Sequence, residues 1–329
     1  MTIRIGAALA LLAAPAAAQD TTLRFASITP EAGYIHSEHL APFAEAVEEA
    51  SGGSLALDLQ PVGVYGQAAQ LLDLVENGIV DMAWIVNGYT PGRFERSGVI
   101  ELPFLYDSAE EATDAYYTMF EEGLIAEDFE GLHVIALWTH RPYGTFTNGA
   151  PVETLEDFAG LKMRVPSEVT AQTVEALGGA PVGMPVTEIA EALRLGTVDG
   201  SMFPYEAVAP FGLEGLFTHF TNTATLATRF AVIMNEDAYA RLGEEQRAAL
   251  DGLSGRDFSM QMARGFDEAE ARVEATYRED PEVTVIDPAP EALDAMREAV
   301  APVLEDWVTQ TGGDAQALLD RAQALAEGS

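Results

Sequence analysis

A helix-stopping glycine followed by x-Val-Asp and an apolar strand occurs twice in this chain. The two copies are Asn77-Gly78-Ile79-Val80-Asp81 and Leu195-Gly196-Thr197-Val198-Asp199. Glycine ends a helix readily because it takes the left-handed conformation without steric cost. Ahead of the first copy, LRFASI (23–28) alternates as a strand, and a helix is expected from about Ser37 to Ala50, ended by Gly52-Gly53. LALDLQP (55–61) alternates again, GVYG turns, and Gln67–Glu76 reads as a helix ended by Asn77-Gly78. IVDMAWIV (79–86) is apolar nearly throughout, as a strand buried on both faces must be. A βαβαβ order predicts an open, mostly parallel sheet with helices on both faces. The order then recurs. LKMRVP (161–166) is a strand, Ser167 caps a helix to Leu177, and Thr187 caps another to Leu195. The repetition predicts two similar α/β lobes.

HVIALW (133–138) and TLATRFAVIMN (225–235) are strands flanking the second unit and are candidates for crossings between lobes. Residues 243–277 read as one long helix, VTVIDP (283–288) as a short strand, and 289–308 and 313–326 as closing helices. No Pro- or Ser-rich linker intervenes. Crossings without a linker predict a hinge, with ligand in the cleft.

The 329 residues suffice for two cores. Fifty-three acidic against 17 basic residues give a net charge of −36, which excludes nucleic acid as a partner. There are no cysteines, so neither disulfides nor thiol chemistry is available. Arg4, the apolar run Ile5–Ala14 and Ala16-Ala17-Ala18 read as a signal peptide covering residues 1–18, cut before Gln19. No later run is long enough to span a membrane. A free periplasmic protein is expected.

Catalytic motifs are missing: there is no GxxxxGK[ST], no GxGxxG opening a helix and no GxSxG. His36 and His39 lack the i,i+4 spacing of a zinc helix and are expected in a solvated first helical turn. No metal or cofactor is expected, and Glu48-Glu49 and Glu121-Glu122 are expected at the surface. Arg164 is different. Leu161, Met163 and Val165 alternate with Lys162 and Arg164, so the arginine leaves the apolar face, and Pro166 ends the strand beside it. A guanidinium fixed at a strand end can grip a carboxylate through two parallel hydrogen bonds. The chain therefore reads as a receptor for an organic acid.

PVETLEDFAGLKMRVP and EIAEALRLGTVDG, with PVGVYGQ, NGIVDMAW, IELPFLY and the strand ending in Met234-Asn235, resemble the DctP-like solute receptors of tripartite ATP-independent periplasmic (TRAP) transporters. The resemblance spans nearly the whole mature chain. It implies an α/β fold of the two-lobed periplasmic-binding-protein kind (type II-like), with two mixed sheets flanked by helices, hinge strands and a long bridging helix. Lobe I would comprise 19–140 with about 230–270, and lobe II 141–229 with about 271–329. It also implies delivery of ligand to a membrane permease driven by an ion gradient.

In that family the arginine of K-x-R-V-P binds the ligand carboxylate, which is Arg164 here. Two departures follow. Sugar-acid receptors of the family carry another arginine about where this chain has Gly144, and Asn just before the proline where this chain has Phe203. Both changes remove polar groups, and burying sugar hydroxyls unpaired costs about 1–3 kcal/mol each. An aromatic monocarboxylate is therefore favoured, with aliphatic, 2-oxo and sugar acids as alternatives. Trp84, Asn87, Tyr89, Tyr34, Tyr143 and Tyr205 are the other pocket candidates, as rings to stack and polar atoms to orient the ligand. Arg93, Arg141 and Arg229 are possible second anion contacts, and nothing in the pattern selects among them. An extracytoplasmic enzyme or a sensory module on the same scaffold are the rival readings.

Overall fold

A computed structural model describes residues 20–328, and the expected signal peptide lies outside the described residues. Strands β1 (Thr21–Ala26), β2 (Leu55–Gln60) and β3 (Met82–Val86) alternate with helices α1 (Ala41–Ala50) and α2 (Leu71–Glu76). Helix α3 (Ala109–Glu121) leads to β4 (Leu132–Thr139) and β5 (Tyr143–Thr147). β6 (Lys162–Val165), α4 (Glu168–Ala176), β7 (Ala180–Gly183), α5 (Ile189–Arg194) and β8 (Gly200–Phe203) repeat the opening order. β9 (His219–Leu226) and β10 (Arg229–Asn235) follow. Helices α6 (Glu236–Ala240), α7 (Glu244–Asp251) and α8 (Arg256–Glu279), strand β11 (Thr284–Ile286), and helices α9 (Pro290–Thr311) and α10 (Ala315–Glu327) complete the chain.

The strands form two mixed sheets, ordered β2-β1-β3-β10-β4 and β11-β9-β5-β8-β6-β7. In each, a three-stranded parallel unit (β2-β1-β3 or β7-β6-β8) is extended by an antiparallel strand, β10 or β5.

The repeated sequence unit explains itself here. Asp81 accepts the Arg24 backbone N–H at 2.9 Å and its Nε at 2.9 Å, while the Arg24 Nη2 reaches the Gly78 carbonyl at 3.0 Å. Asp199 accepts the Lys162 backbone N–H at 2.9 Å, and Lys162 Nζ reaches the Gly196 carbonyl at 2.5 Å. Both glycines adopt positive φ, 65° and 67°. Each glycine turns the chain, and each aspartate clasps the first strand of its parallel unit to the last.

HVIALW forms a strand as expected, while one expected crossing, one expected strand and two expected helices are revised. The crossing follows β4 at His140–Pro142 rather than within it. TLATRFAVIMN is split: β9 ends in one sheet at Leu226, and β10 begins in the other at Arg229. Residues 243–277 form α7 and α8 rather than one helix. Gly252 caps α7, and Gly255 sits at φ 86°, its N–H donating 2.7 Å to the Ile135 carbonyl. Two glycines near one another permit that turn, and the β4 carbonyl holds it. Helix α8 packs on α3 and β4 at one end and on β11 and the turn after β8 at the other, so it bridges the two sheets. Thr187 lies inside a 3₁₀ turn that starts after Pro185, rather than capping α5.

His36 and His39 also depart from expectation. Both are buried, in a π-helical turn (His36–Leu40), not solvated. His39 packs edge-on to Tyr34 and lies so close to Gly265 of α8 that a Cβ there would stand 2.2 Å from Nε2. Glu48, Glu49, Glu121 and Glu122 are exposed.

Candidate functional site: a cationic, aromatic cavity between the sheets

β6 delivers Arg164 to its end, and the chain's alternation turns the side chain inward to 3% exposure. Its Nε donates to the Met184 carbonyl at 2.9 Å and its Nη2 to the Tyr89 hydroxyl at 3.0 Å. No Asp or Glu among the described residues pairs with it, and its Nη1 makes no hydrogen bond among them. A buried cation without an anionic partner is costly, so the arrangement suits an anion. Tyr89 adds a second donor. Its hydroxyl oxygen accepts from Arg164 and from the Val186 N–H at 2.9 Å, which leaves the phenolic proton for a third partner.

Arg164 and Tyr89 line a cavity of about 60 Å³ together with Trp84, Tyr143 and Phe203, three further residues expected from the sequence. The walls are ring-built. Phe230 stands 5.6 Å from Trp84 edge-on and lies 5.6 Å from Phe266 with planes 5° apart. Phe203 is 2% exposed, where the sugar-acid pattern would place an amide. Gly144 leaves no room for an arginine, since a Cβ there would meet the Thr221 carbonyl oxygen at 2.3 Å. The cavity thus has one cationic end and an aromatic body.

Sequence reasoning missed the cavity's other polar groups. His140, in the crossing after β4, places Nδ1 2.7 Å from the Arg141 carbonyl. Burial drives its pKa down to about 4, so the ring is neutral. Glu206 lies just after β8, and burial, with Glu270 beside it, pushes its carboxyl up to about 8. Glu270 of α8 accepts the N–H groups of Tyr205 and Glu206 at 3.0 and 2.8 Å, and burial raises it to about 7. The signal for His140 was its place at a strand end beside Tyr143. The surplus of acidic residues hid Glu206.

Three expected residues lie elsewhere. Asn87 donates to the Tyr116 hydroxyl at 3.0 Å and lines a neighbouring crevice, because the 3₁₀ turn after β3 sends it away from Tyr89. Tyr205 stacks on Phe220 at 5.4 Å within the second sheet's core and donates to Asn222 at 2.9 Å. Tyr34 faces His39, with the Arg272 guanidinium 5.2 Å above its ring. Of the alternative arginines, Arg229 is neutralised by buried Glu101 at 3.4 Å and Arg93 pairs with Glu76 at 3.3 Å. Arg141 lines a separate acidic crevice with Glu270 and Glu274. Among the described residues, no group of three or more His, Cys, Asp or Glu could hold a metal ion. No helix of the described residues is long and apolar enough to cross a membrane.

The chain is similar to several known proteins. A marine-metagenome TRAP solute-binding protein specific for aromatic acids, solved with metahydroxyphenylacetate, superposes with TM-score 0.89 at 29% identity, covering 94% of this chain and 99% of that one. A TRAP solute-binding protein from Rhodoferax ferrireducens with copurified benzoate gives TM-score 0.87 at 27% identity over 94% and 98% of the two chains. The C4-dicarboxylate-binding periplasmic protein DctP of Rhodobacter capsulatus is 24% identical over 95% of this chain and 94% of its own. Residues 25–311 match the family model described as bacterial extracellular solute-binding protein, family 7 (DctP). With that match over most of its length and two mixed sheets around a cationic cavity, the chain belongs to the DctP family of TRAP solute-binding proteins.

Proposed function

We propose that this protein is the periplasmic receptor of a TRAP transporter and binds an aromatic monocarboxylate between its two sheets. One observation carries the reading: Arg164 is buried, lacks a carboxylate partner among the described residues, and stands at the end of a cavity walled by Trp84, Tyr143, Phe203 and Phe230. The ligand carboxylate takes the free face of the guanidinium and the Tyr89 proton, and its ring packs between the aromatic walls. The bound aromatic acids of the two solved relatives support this choice over uronates and dicarboxylates. The receptor is not catalytic in this reading.

Closure brings Tyr89, from the turn after β3, onto Arg164 and Val186 of the other sheet's side. Ligand shifts an open–closed equilibrium because only the closed form contacts it from both sides. We assign lobe I to 19–140 with about 230–270 and lobe II to 141–229 with about 271–329; sheet membership supports the division, and α10, which packs on α3, is the exception. The closed form presents a joint surface to the permease. The family's description and the leader-like first 18 residues support export to the periplasm.

The test is thermal unfolding of the chain from residue 19 against benzoates, phenylacetates, C4 dicarboxylates, 2-oxo acids and hexuronates. A ligand at about a hundred times its Kd stabilises the native state by about 2.7 kcal/mol. Shifts confined to aromatic acids are expected. Shifts confined to uronates or dicarboxylates would overturn the ligand assignment, and no shift with any acid would overturn the receptor reading.

A further inference from the structure

Besides Arg164 Nη1 and Trp84 Nε1, which can only donate, two polar groups lining the cavity have no partner among the described residues: His140 Nε2 and the Glu206 carboxyl. His140 is 2% exposed and ringed by Tyr143 at 4.7 Å, Phe230 at 5.5 Å and Phe266 at 6.0 Å. Its Nδ1 faces the Arg141 carbonyl at 2.7 Å. A carbonyl oxygen only accepts, so Nδ1 holds the proton, and Nε2 of the neutral ring is a lone-pair acceptor. Glu206 is held differently. Its backbone N–H is tied to Glu270 at 2.8 Å, which fixes the start of the turn after β8, while its own carboxyl makes no hydrogen bond among the described residues. With its pKa pushed up to about 8, the group is a neutral carboxylic acid near pH 7, both donor and acceptor.

An unsubstituted ring filling this cavity would leave both groups dry and unpaired, which is costly for buried polar atoms. A second carboxylate would meet a lone pair at Nε2 and no cation. A hydroxyl satisfies both groups, because it offers one proton and two lone pairs.

We infer that His140 and Glu206 together bind a hydroxyl on the aromatic acid, with His140 Nε2 accepting its proton in a hydrogen bond and Glu206 contacting its oxygen. Arg164 then reads the acid and His140 reads the substituent, so the receptor selects hydroxyaryl monocarboxylates. This assignment rests on the aromatic-acid reading above and adds the substituent to it.

The experiment is calorimetric titration of the chain from residue 19 with benzoate, the three hydroxybenzoates and their methoxy counterparts. At least one hydroxybenzoate is expected to bind about tenfold tighter than benzoate or better, the scale set by one buried acceptor left unpaired. Its methoxy counterpart should lose that gain, since an ether cannot donate. In His140→Phe the ratio of benzoate Kd to hydroxybenzoate Kd should fall towards one, and Glu206→Leu should lower it as well. The ratio is read within each variant, so a general loss of affinity or stability does not imitate the effect. Equal binding of benzoate and every hydroxybenzoate would overturn the inference while leaving the aromatic-acid receptor intact. A methoxy acid as tight as its hydroxy parent, or a ratio that survives in His140→Phe, would overturn it too. Failure of every aromatic acid to bind would remove the receptor reading first.

Discussion

Arg164 holds its charge in a place where water is scarce, and its own chain supplies only a carbonyl and a phenol. Removing it takes away the cavity's cation without taking away a folded-state ion pair. Arg164→Ala should weaken aromatic-acid binding by at least about 100-fold, as truncation of a buried charge partner does. Its ligand-free unfolding midpoint should be no lower than that of the unaltered protein; undiminished affinity by calorimetry would sink the site assignment. A pH effect belongs to the same cavity and to the acidic crevice beside it. Glu206 and Glu270 have carboxyls raised by burial to about 8 and about 7, against an ordinary 4.5. They stay protonated in the fold at pH values where the unfolded chain ionises them. Their contribution to stability is therefore full below their ordinary pKa and is lost as pH rises through about 7 and about 8. Ionised Glu206 also repels a bound carboxylate. Affinity should fall as pH passes about 8 in the unaltered protein, and should fall less in Glu206→Gln; identical pH profiles of Kd would reject that role. Arg164 was legible because strand alternation and Pro166 place it, Trp84 and Tyr89 because they follow the first Val-Asp unit, Tyr143 because it follows the candidate crossing, and Phe203 because it ends a strand. Asn87 and Tyr205 share those positions in sequence, but 3₁₀ turns rotate them away, and no local pattern encodes that rotation.

At the scale of elements, the Gly-x-Val-Asp unit does more than end a helix. Asp81, with only 8% of its side chain exposed, ties β1 to β3 through three contacts from Arg24, one of them to the backbone. Asp199 repeats this for β6 and β8 with 36% of its side chain exposed and its Lys162 Nζ 3.8 Å away. Asp81→Ala should cost about 2–3 kcal/mol of unfolding free energy, because a backbone N–H and a guanidinium lose their acceptor together. Asp199→Ala should cost about 1 kcal/mol, since water replaces part of the contact. Urea denaturation of the two variants checks the order; equal losses would mean that burial does not set the difference. The sequence showed the strands, helices and doubled parallel unit because periodicity and glycine stops are local. It did not show the breaks at Gly252–Gly255 and at Ala227–Thr228. Gly255 bends where the Ile135 carbonyl receives its N–H, and the 225–235 run divides because its two ends belong to different sheets. Both causes are tertiary.

At the scale of the whole molecule, the proposed closure requires its two halves to approach, and one glycine sits where they meet. Gly88, in the turn after β3, lies against the start of α4 on the other side. A Cβ at Gly88 would stand 2.6 Å from the Ser167 Cβ and 2.8 Å from the Pro166 carbonyl oxygen. Both neighbours are held, Pro166 by its ring and Ser167 by its capping bond to the Thr170 N–H at 3.2 Å, so neither yields cheaply. In sequence Asn87-Gly88-Tyr89 reads as an ordinary turn, and nothing local says that a second lobe closes on it. Gly88→Ala therefore leaves each lobe intact and obstructs only their meeting. The bond from Arg164 to Tyr89 and that from Val186 to Tyr89 lengthen with it, because Tyr89 is the next residue. The variant should unfold at the unaltered midpoint without ligand, bind aromatic acid more weakly, and keep a larger radius of gyration by small-angle scattering at saturating ligand. Full compaction at saturation would mean that the lobes meet without the Gly88 contact. In that case closure would have to be carried by α8 and the two crossings alone, with Tyr89 following rather than latching.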